Sequence, residues 1–100
     1  MALKEYYHFQ NQHFEFNDIN NTLTIATSTE KTKDISIQTM TELQFQAQLY
    51  SFRGNVLRTR VAIEEGNTDP NLAGPVFTEI TEEEFLAVKN EVIEFINASL

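Results

Sequence analysis

The stretch from Leu43 to Glu65, LQFQAQLYSFRGNVLRTRVAIEE, constrains the fold of this chain most strongly. In its first half, apolar residues alternate with glutamines, which is the two-residue period of a strand with one buried face. On a helix, its apolar residues would fall on two opposite sides, so no single face could be buried. The pattern therefore predicts a β-hairpin. A helical alternative has support, because Thr41 and Gln44 fit a capping box and Gly54 could end a helix.

The turn of the predicted hairpin lies at residues 53–55, Arg-Gly-Asn, where glycine or asparagine can adopt a positive φ. This register pairs Phe45 with Ile63 and Ala47 with Val61. The apolar face then consists of Leu43, Phe45, Ala47, Leu49, Leu57, Val61 and Ile63. The outward face consists of Gln44, Gln46, Gln48, Tyr50, Phe52, Arg58 and Arg60. Both strands agree on which side is apolar, and a one-residue slip would destroy that agreement.

Composition and charge bound the class of protein. One hundred residues that are 41% hydrophobic, with eight phenylalanines, predict a single folded domain over residues 1–100. The absence of cysteine excludes disulfides and thiolate chemistry. The net charge of −8 argues against a general affinity for nucleic acid or anionic membranes, although residues 43–63 carry three arginines and no acid. No apolar run approaches the roughly 20 residues that span a bilayer, and the N-terminus lacks a signal-peptide core, so the expected location is the cytoplasm or a virion.

The segment before the hairpin predicts short strands. Residues 3–16 are rich in aromatic side chains, and we expect them to form a strand that pairs with Thr22–Ala26 in a first hairpin across the NDINN turn. Asp34–Gln38 is predicted to be another strand, with both of its isoleucines directed inward. Val76–Ile80 is predicted to be a last short strand.

The C-terminal segment predicts an amphipathic helix. Thr81 and Glu84 form a capping box, and Ile80 and Phe85 occupy the positions of a hydrophobic staple. An apolar stripe follows at helical spacing: Phe85, Val88, Val92, Phe95 and Ile96. The chain is thus expected to have an α+β fold, a mainly antiparallel sheet of about five to six short strands with this one helix packed on one face.

No residue pattern indicates catalysis or a metal site. His8 and His13 could be drawn with Glu5 or Glu15 around a metal ion, but on one strand their opposite parity would direct them to different faces. The serines occur in no known nucleophile motif, and the glycines form no phosphate-binding loop. We therefore expect a non-enzymatic protein with no catalytic residue, no cofactor and no metal ion.

The candidate functional surface is the outward face of the predicted hairpin. It combines aromatic rings, guanidinium groups and amides: Tyr50, Phe52, Arg58, Arg60, Gln46 and Gln48. Protein interfaces are enriched in such aromatic and arginine side chains, and open strand edges favour self-pairing. The leading interpretation is therefore an interaction or assembly protein, a small homo-oligomeric component of bacterial or phage origin that binds a protein partner or itself.

Two alternatives remain for the same surface. Aromatic rings with arginines also stack bases and neutralise phosphates, which suits a single-stranded nucleic-acid-binding module. A purely structural alternative is a cross-strand cation–π pair between Tyr50 and Arg58. The order of hairpin, loop, short strand and TEEEF-type capped helix over residues 43–95 resembles the single-stranded-DNA-binding domains of the positive cofactor four family. This resemblance rests on the order of elements, without a distinctive motif, and assigns no role to any residue.

Overall fold

The computed structural model describes residues 3–64 and 77–99. The elements within these ranges are β1 (Lys4–Phe9), β2 (Gln12–Asn17), β3 (Thr22–Ser28), β4 (Lys33–Thr39), α1 (Glu42–Glu64), β5 (Thr78–Glu79) and α2 (Glu82–Ala98). The five strands form one antiparallel sheet in the order β4-β3-β2-β1-β5. The α+β class is confirmed. The predicted C-terminal helix is present as α2, but it is accompanied by a second helix.

The hairpin predicted over residues 43–65 is wrong, because Glu42–Glu64 forms the continuous helix α1. The capping box before it is real: the Thr41 amide donates to Gln44 Oε1 at 3.1 Å, and the Gln44 amide donates to Thr41 Oγ1 at 3.2 Å. The capping box therefore indicated the structure correctly, and the alternating pattern did not. The alternation arises because the helix carries two apolar sides, of which it buries only one. Gly54 therefore lies inside a helix and not in a turn.

The N-terminal prediction also needs correction. Residues 3–16 do not form one strand, because β1 and β2 fold into a hairpin around Gln10 and Asn11. Gln10 has a φ of 54°, a left-handed conformation that is uncommon for residues other than glycine, which explains why the sequence hides this turn. The hairpin expected across NDINN is present between β2 and β3. The last predicted strand is present as the two residues of β5, and Val76 lies outside the described residues.

The two helices cover opposite faces of the sheet. Tyr7 belongs to an aromatic core under α1, whereas its neighbour Tyr6 packs with Phe85 of α2, since successive strand residues point to opposite faces. The α1 side joins strand residues to helix residues: Tyr7, Phe14, Phe16, Leu23, Phe45, Leu49 and Val56. The chain therefore has three layers, with a helix on each side of the sheet.

Helix α2 confirms the predicted amphipathic pattern except at Phe95, which was predicted to belong to the apolar stripe but is 45% exposed. Its N-cap Thr81 and Glu84 form the full capping box, and Phe85 and Val92 are completely buried. It crosses the edge strand β4 near Lys33, whose ammonium lies 2.9 Å from Glu91. Ile35 is half-buried beside α2, but Ile37 is 65% exposed, so the prediction that both isoleucines point inward is wrong for Ile37. The helix covers the Lys33 end of β4, and Ile37 lies farther along that strand.

Candidate interaction surface

One side of α1 is fixed by the aromatic core. The residues that face the sheet recur at alternating steps of four and three, as expected for one face of a helix: Phe45, Leu49, Phe52, Val56 and Thr59. The Phe52 ring makes edge contacts with the rings of Phe14 and Phe16, at centroid distances of 4.9 and 5.0 Å. It also meets Tyr7 and Phe77 at 5.7 and 5.1 Å. Phe52, predicted to face outward, is therefore part of the core.

A second apolar stripe runs along the opposite side of α1. We call it the exposed stripe, and it consists of Leu43, Ala47, Tyr50, Gly54, Leu57 and Val61. Its members follow the same steps of four and three, and at 3.6 residues per turn it lies about 160° around the helix from the buried side. Leu43, Tyr50, Leu57 and Val61 are 81%, 61%, 59% and 42% exposed. A helix with apolar residues on both sides is normally buried on both. Here the exposed stripe has no packing partner among the described residues.

Gly54 occupies the middle of the exposed stripe. A Cβ atom added there would meet nothing within 4 Å, so the described residues leave room for a larger side chain. Glycine inside a helix destabilises it by about 0.5–1 kcal/mol relative to alanine. The described residues therefore offer no packing reason for this glycine.

A charged cluster fastens α1 to the sheet next to the exposed stripe. Arg53 Nε donates to Glu5 Oε1 at 2.9 Å, Arg53 Nη2 donates to Glu5 Oε2, and the Tyr7 hydroxyl donates to Glu5 Oε1 at 2.5 Å. The hydrogen bond from Arg53 holds the pKa of Glu5 below its ordinary value. Burial raises the pKa of Tyr7. The two-pronged contact satisfies the Arg53 charge within the chain and fixes the rotation of α1.

The same arginine also positions Tyr50. The Arg53 guanidinium lies 5.6 Å from the centroid of the Tyr50 ring, which is cation–π distance. The predicted cation–π partner was Arg58, but Arg58 is eight residues along the helix and lies on the other flank of the exposed stripe. Sequence patterns gave no signal for Arg53, because the hairpin prediction placed it in a turn and its partner Glu5 is 48 residues away.

The six predicted site residues do not form one surface. Tyr50 belongs to the exposed stripe, and helical geometry places Gln46 and Arg60 along one of its flanks. Arg58 lies on the opposite flank. Gln48 is exposed but points away from the stripe toward the sheet side, and Phe52 is in the core. The outward face that was expected to carry function is therefore replaced by the exposed stripe and its two flanks.

The two histidines are closer than the sequence suggested. His8 and His13 are direct partners in the β1–β2 pairing, and their rings stack at a centroid distance of 4.4 Å. The parity argument that separated them was wrong, because it assumed one continuous strand. Burial lowers the pKa of His13, and the neighbouring His8 lowers it further. Among residues 3–64 and 77–99, no group of three or more histidine, cysteine or acidic side chains could hold a metal ion.

The described residues line open clefts between α1 and β5, and another open cleft of about 360 Å³ is lined by Asn11, Thr29, Glu30 and Lys31. Two adjacent clefts have volumes of about 250 Å³ each and share Val56, Arg60 and Glu79 in their walls. They are smaller than the roughly 300–1,000 Å³ typical of ligand pockets. Neither brings together a nucleophile and a base, so we assign no chemistry to them.

Comparisons with known proteins leave the surface to be interpreted from its own chemistry. No protein-family model, curated protein or solved structure matches this chain. The resemblance to positive-cofactor-type domains depended on a hairpin that is not formed. In the described part of the chain, no helix is long and apolar enough to cross a membrane.

Proposed function

We propose that the protein is a non-enzymatic interaction protein that assembles with itself, and that the exposed stripe of α1 is its docking surface. One observation carries this proposal: α1 has two apolar stripes, and the fold buries one of them. Contiguous apolar surface that is rimmed by polar residues is characteristic of protein-binding sites. Tyrosine and arginine on and beside such a surface are the side chains that protein interfaces favour.

The exposed stripe is a stronger candidate than the outer side of α2. The exposed apolar residues of α2 are Leu86, Ile93 and Phe95, at 37%, 38% and 45% exposure, so each is less exposed than Leu43, which is 81% exposed. Helix α2 also carries three glutamates in its first turn. In contrast, α1 has no acidic residue between Leu43 and Ile63, so its apolar stripe can be buried without burying a carboxylate.

The nucleic-acid alternative loses one of its two aromatic rings. Phe52 is packed in the core and cannot stack a base, and Arg53 is already paired with Glu5. The stripe itself is mainly aliphatic, whereas single-stranded nucleic-acid binders present aromatic rings beside free cations. With a net charge of −8 for the whole chain, protein is the better supported partner. A role as a bacterial or phage-encoded assembly component stays a prediction.

The test is the mass in solution over micromolar to millimolar concentrations, by light scattering or sedimentation equilibrium. The chain should exceed its monomer mass of 11.5 kDa as concentration rises. Leu57→Glu should raise the dissociation constant roughly a hundredfold or more, because association would bury an unpaired carboxylate. Circular dichroism should show that the fold is intact, since Leu57 is exposed.

Ile37→Glu is the matched control, because Ile37 is similarly exposed but lies on the edge strand β4. It should leave the mass unchanged. A wild-type chain that stays at 11.5 kDa throughout would contradict self-assembly. Loss of association in Ile37→Glu alone would transfer the interface to the sheet edge. Salt-sensitive binding of an oligo-dT strand by the wild type would instead support the nucleic-acid alternative.

A further inference from the structure

We infer that the exposed stripe packs against the same stripe of a second copy, with the two α1 helices antiparallel and Tyr50 of each copy seated over Gly54 of the other. This inference names the partner of the proposed docking surface and rests on that proposal. The alternating steps of four and three residues are the spacing with which helices interlock side chains in coiled coils. A two-fold contact of this kind is closed, so it gives a dimer and not a filament.

Only one antiparallel register engages the whole stripe. It brings Leu43 opposite Val61, Ala47 opposite Leu57, and Tyr50 opposite Gly54, and the two-fold symmetry repeats each of these layers. Shifting the register by one heptad in either direction leaves two of the six stripe residues without a partner in the stripe. The chosen register also pairs a larger with a smaller side chain in every layer, as dense packing between helices requires.

Gly54 gives independent support for this register. A Cβ atom at this position meets nothing within 4 Å among the described residues, so the described fold does not require glycine there. In the antiparallel pair, the absence of a side chain at Gly54 lets the Tyr50 ring of the partner copy pack directly against the helix backbone. Tyr50 has the largest side chain of the stripe, and the Arg53 guanidinium of its own chain lies 5.6 Å from the centroid of its ring.

The charges beside the stripe favour the antiparallel over the parallel arrangement. In a parallel pair, side chains five residues apart meet across the interface, which would bring Arg53 against Arg58 of the partner copy. In the antiparallel pair, Arg58 approaches Gln44 and Arg60 approaches Gln46, so these two arginines meet neutral amides. Arg53 meets Arg53 of the other copy near the two-fold axis, and Glu5 offsets the charge in each copy. The antiparallel pair thus has one like-charge contact, whereas the parallel pair has two.

Among residues 3–64 and 77–99, the position of the stripe leaves room for this pairing. It lies about 160° from the side of α1 that packs on the sheet, so the two sheets fall on the outer sides of the helix pair. The contact would be about 27 Å long at a rise of 1.5 Å per residue, and it would bury on the order of 1,000 Å² in total. That is the lower end for specific interfaces, so we expect a dimer in the micromolar range.

Cysteine cross-linking tests the register, and the natural chain contains no cysteine to interfere. Leu43→Cys and Val61→Cys are prepared separately and oxidised alone or as an equal mixture. In the antiparallel register, Cys at 43 of one copy meets Cys at 61 of the other. Equivalent positions lie about 27 Å apart, far beyond the roughly 4–7 Å between Cα atoms that a disulfide bridges. Cross-linked dimer should therefore form only in the mixture, to about half of the dimers by random exchange. Gln38→Cys on β4, an exposed control, should not cross-link.

The outcomes separate this inference from the proposed function. Efficient cross-linking of either variant alone would mean a parallel pair and would overturn the antiparallel register. A dimer mass without cross-linking in the mixture would also overturn it, while self-assembly would stand. A monomer mass at all concentrations would overturn both. Cross-linking confined to Gln38→Cys would place the contact at the sheet edge and refute the role of α1.

Discussion

Replacing Gly54 by alanine should change folding and assembly in opposite directions. Gly54 lies inside α1, and within the ranges that the structure describes an added methyl group would meet nothing within 4 Å. The helix should therefore gain about 0.5–1 kcal/mol in the free energy of unfolding, because alanine is the better helix former. For a domain of this size, such a gain corresponds to a melting temperature higher by roughly 2–8 °C.

The same methyl group should weaken the dimer. In the antiparallel pair it would lie between the Gly54 backbone and the Tyr50 ring of the partner copy, where no space is left for it. Overpacking of this kind costs about 1–3 kcal/mol. The dissociation constant should then rise about 5–150-fold, since each 1.4 kcal/mol is a factor of ten.

The two effects are measured separately. Thermal unfolding is followed at concentrations well below the dissociation constant, and association is followed by sedimentation equilibrium at higher concentrations. Gln48→Ala is the matched control: it changes an exposed residue of the same helix outside the stripe, and glutamine and alanine have similar helix propensities. It should alter neither quantity appreciably. An unchanged dissociation constant in Gly54→Ala would refute the close approach at Gly54, and a lower melting temperature would refute the reasoning on the helix itself.

Two further predictions concern the fold. Phe85→Ala should lower the free energy of unfolding by about 3–5 kcal/mol in urea titrations, because this ring of α2 is 0% exposed and packs against Tyr6. A loss below about 1 kcal/mol would show that the site collapses around the cavity. Glu5→Gln should make the free energy of unfolding depend less on pH in the acid range. Arg53 lowers the folded pKa of Glu5 below 4.5, so the stabilisation from this carboxylate is present above pH 4.5 and is lost as pH falls through the folded pKa. An unchanged slope of unfolding free energy against pH below 4.5 would contradict that assignment.

The parts of the fold that could be predicted are those with local signals. Helix α2 is defined by its capping box at Thr81 and by apolar residues at helical spacing, both of which act within a few residues. The strands β3 and β4 follow from short alternating runs between polar turns. The turn at Gln10 could not be predicted, because glutamine rarely adopts a left-handed conformation and the paired strands on either side hold it there. That turn also decides that His8 and His13 are neighbours.

Helix α1 was missed for a geometric reason. Its buried stripe includes Phe45 and Leu49, and its exposed stripe includes Leu43 and Ala47, so the two stripes are offset by two residues. Interleaved, they give an apolar residue at every second position from Leu43 to Leu49, which is also the period of a strand. The alternation alone therefore cannot distinguish a hairpin with one apolar face from a helix with two. The capping residue Thr41 provided the distinguishing local signal.

A helix with two apolar sides is unfavourable only if the chain acts alone. In α1, the sheet accounts for the side that carries Phe45 and Phe52. In the proposed dimer, a second copy would cover the side that carries Leu43 and Tyr50, and a close approach of that copy would explain Gly54 at the centre of that side. The second apolar side, which makes a helix unfavourable in an isolated chain, is thus the feature on which the proposed assembly rests.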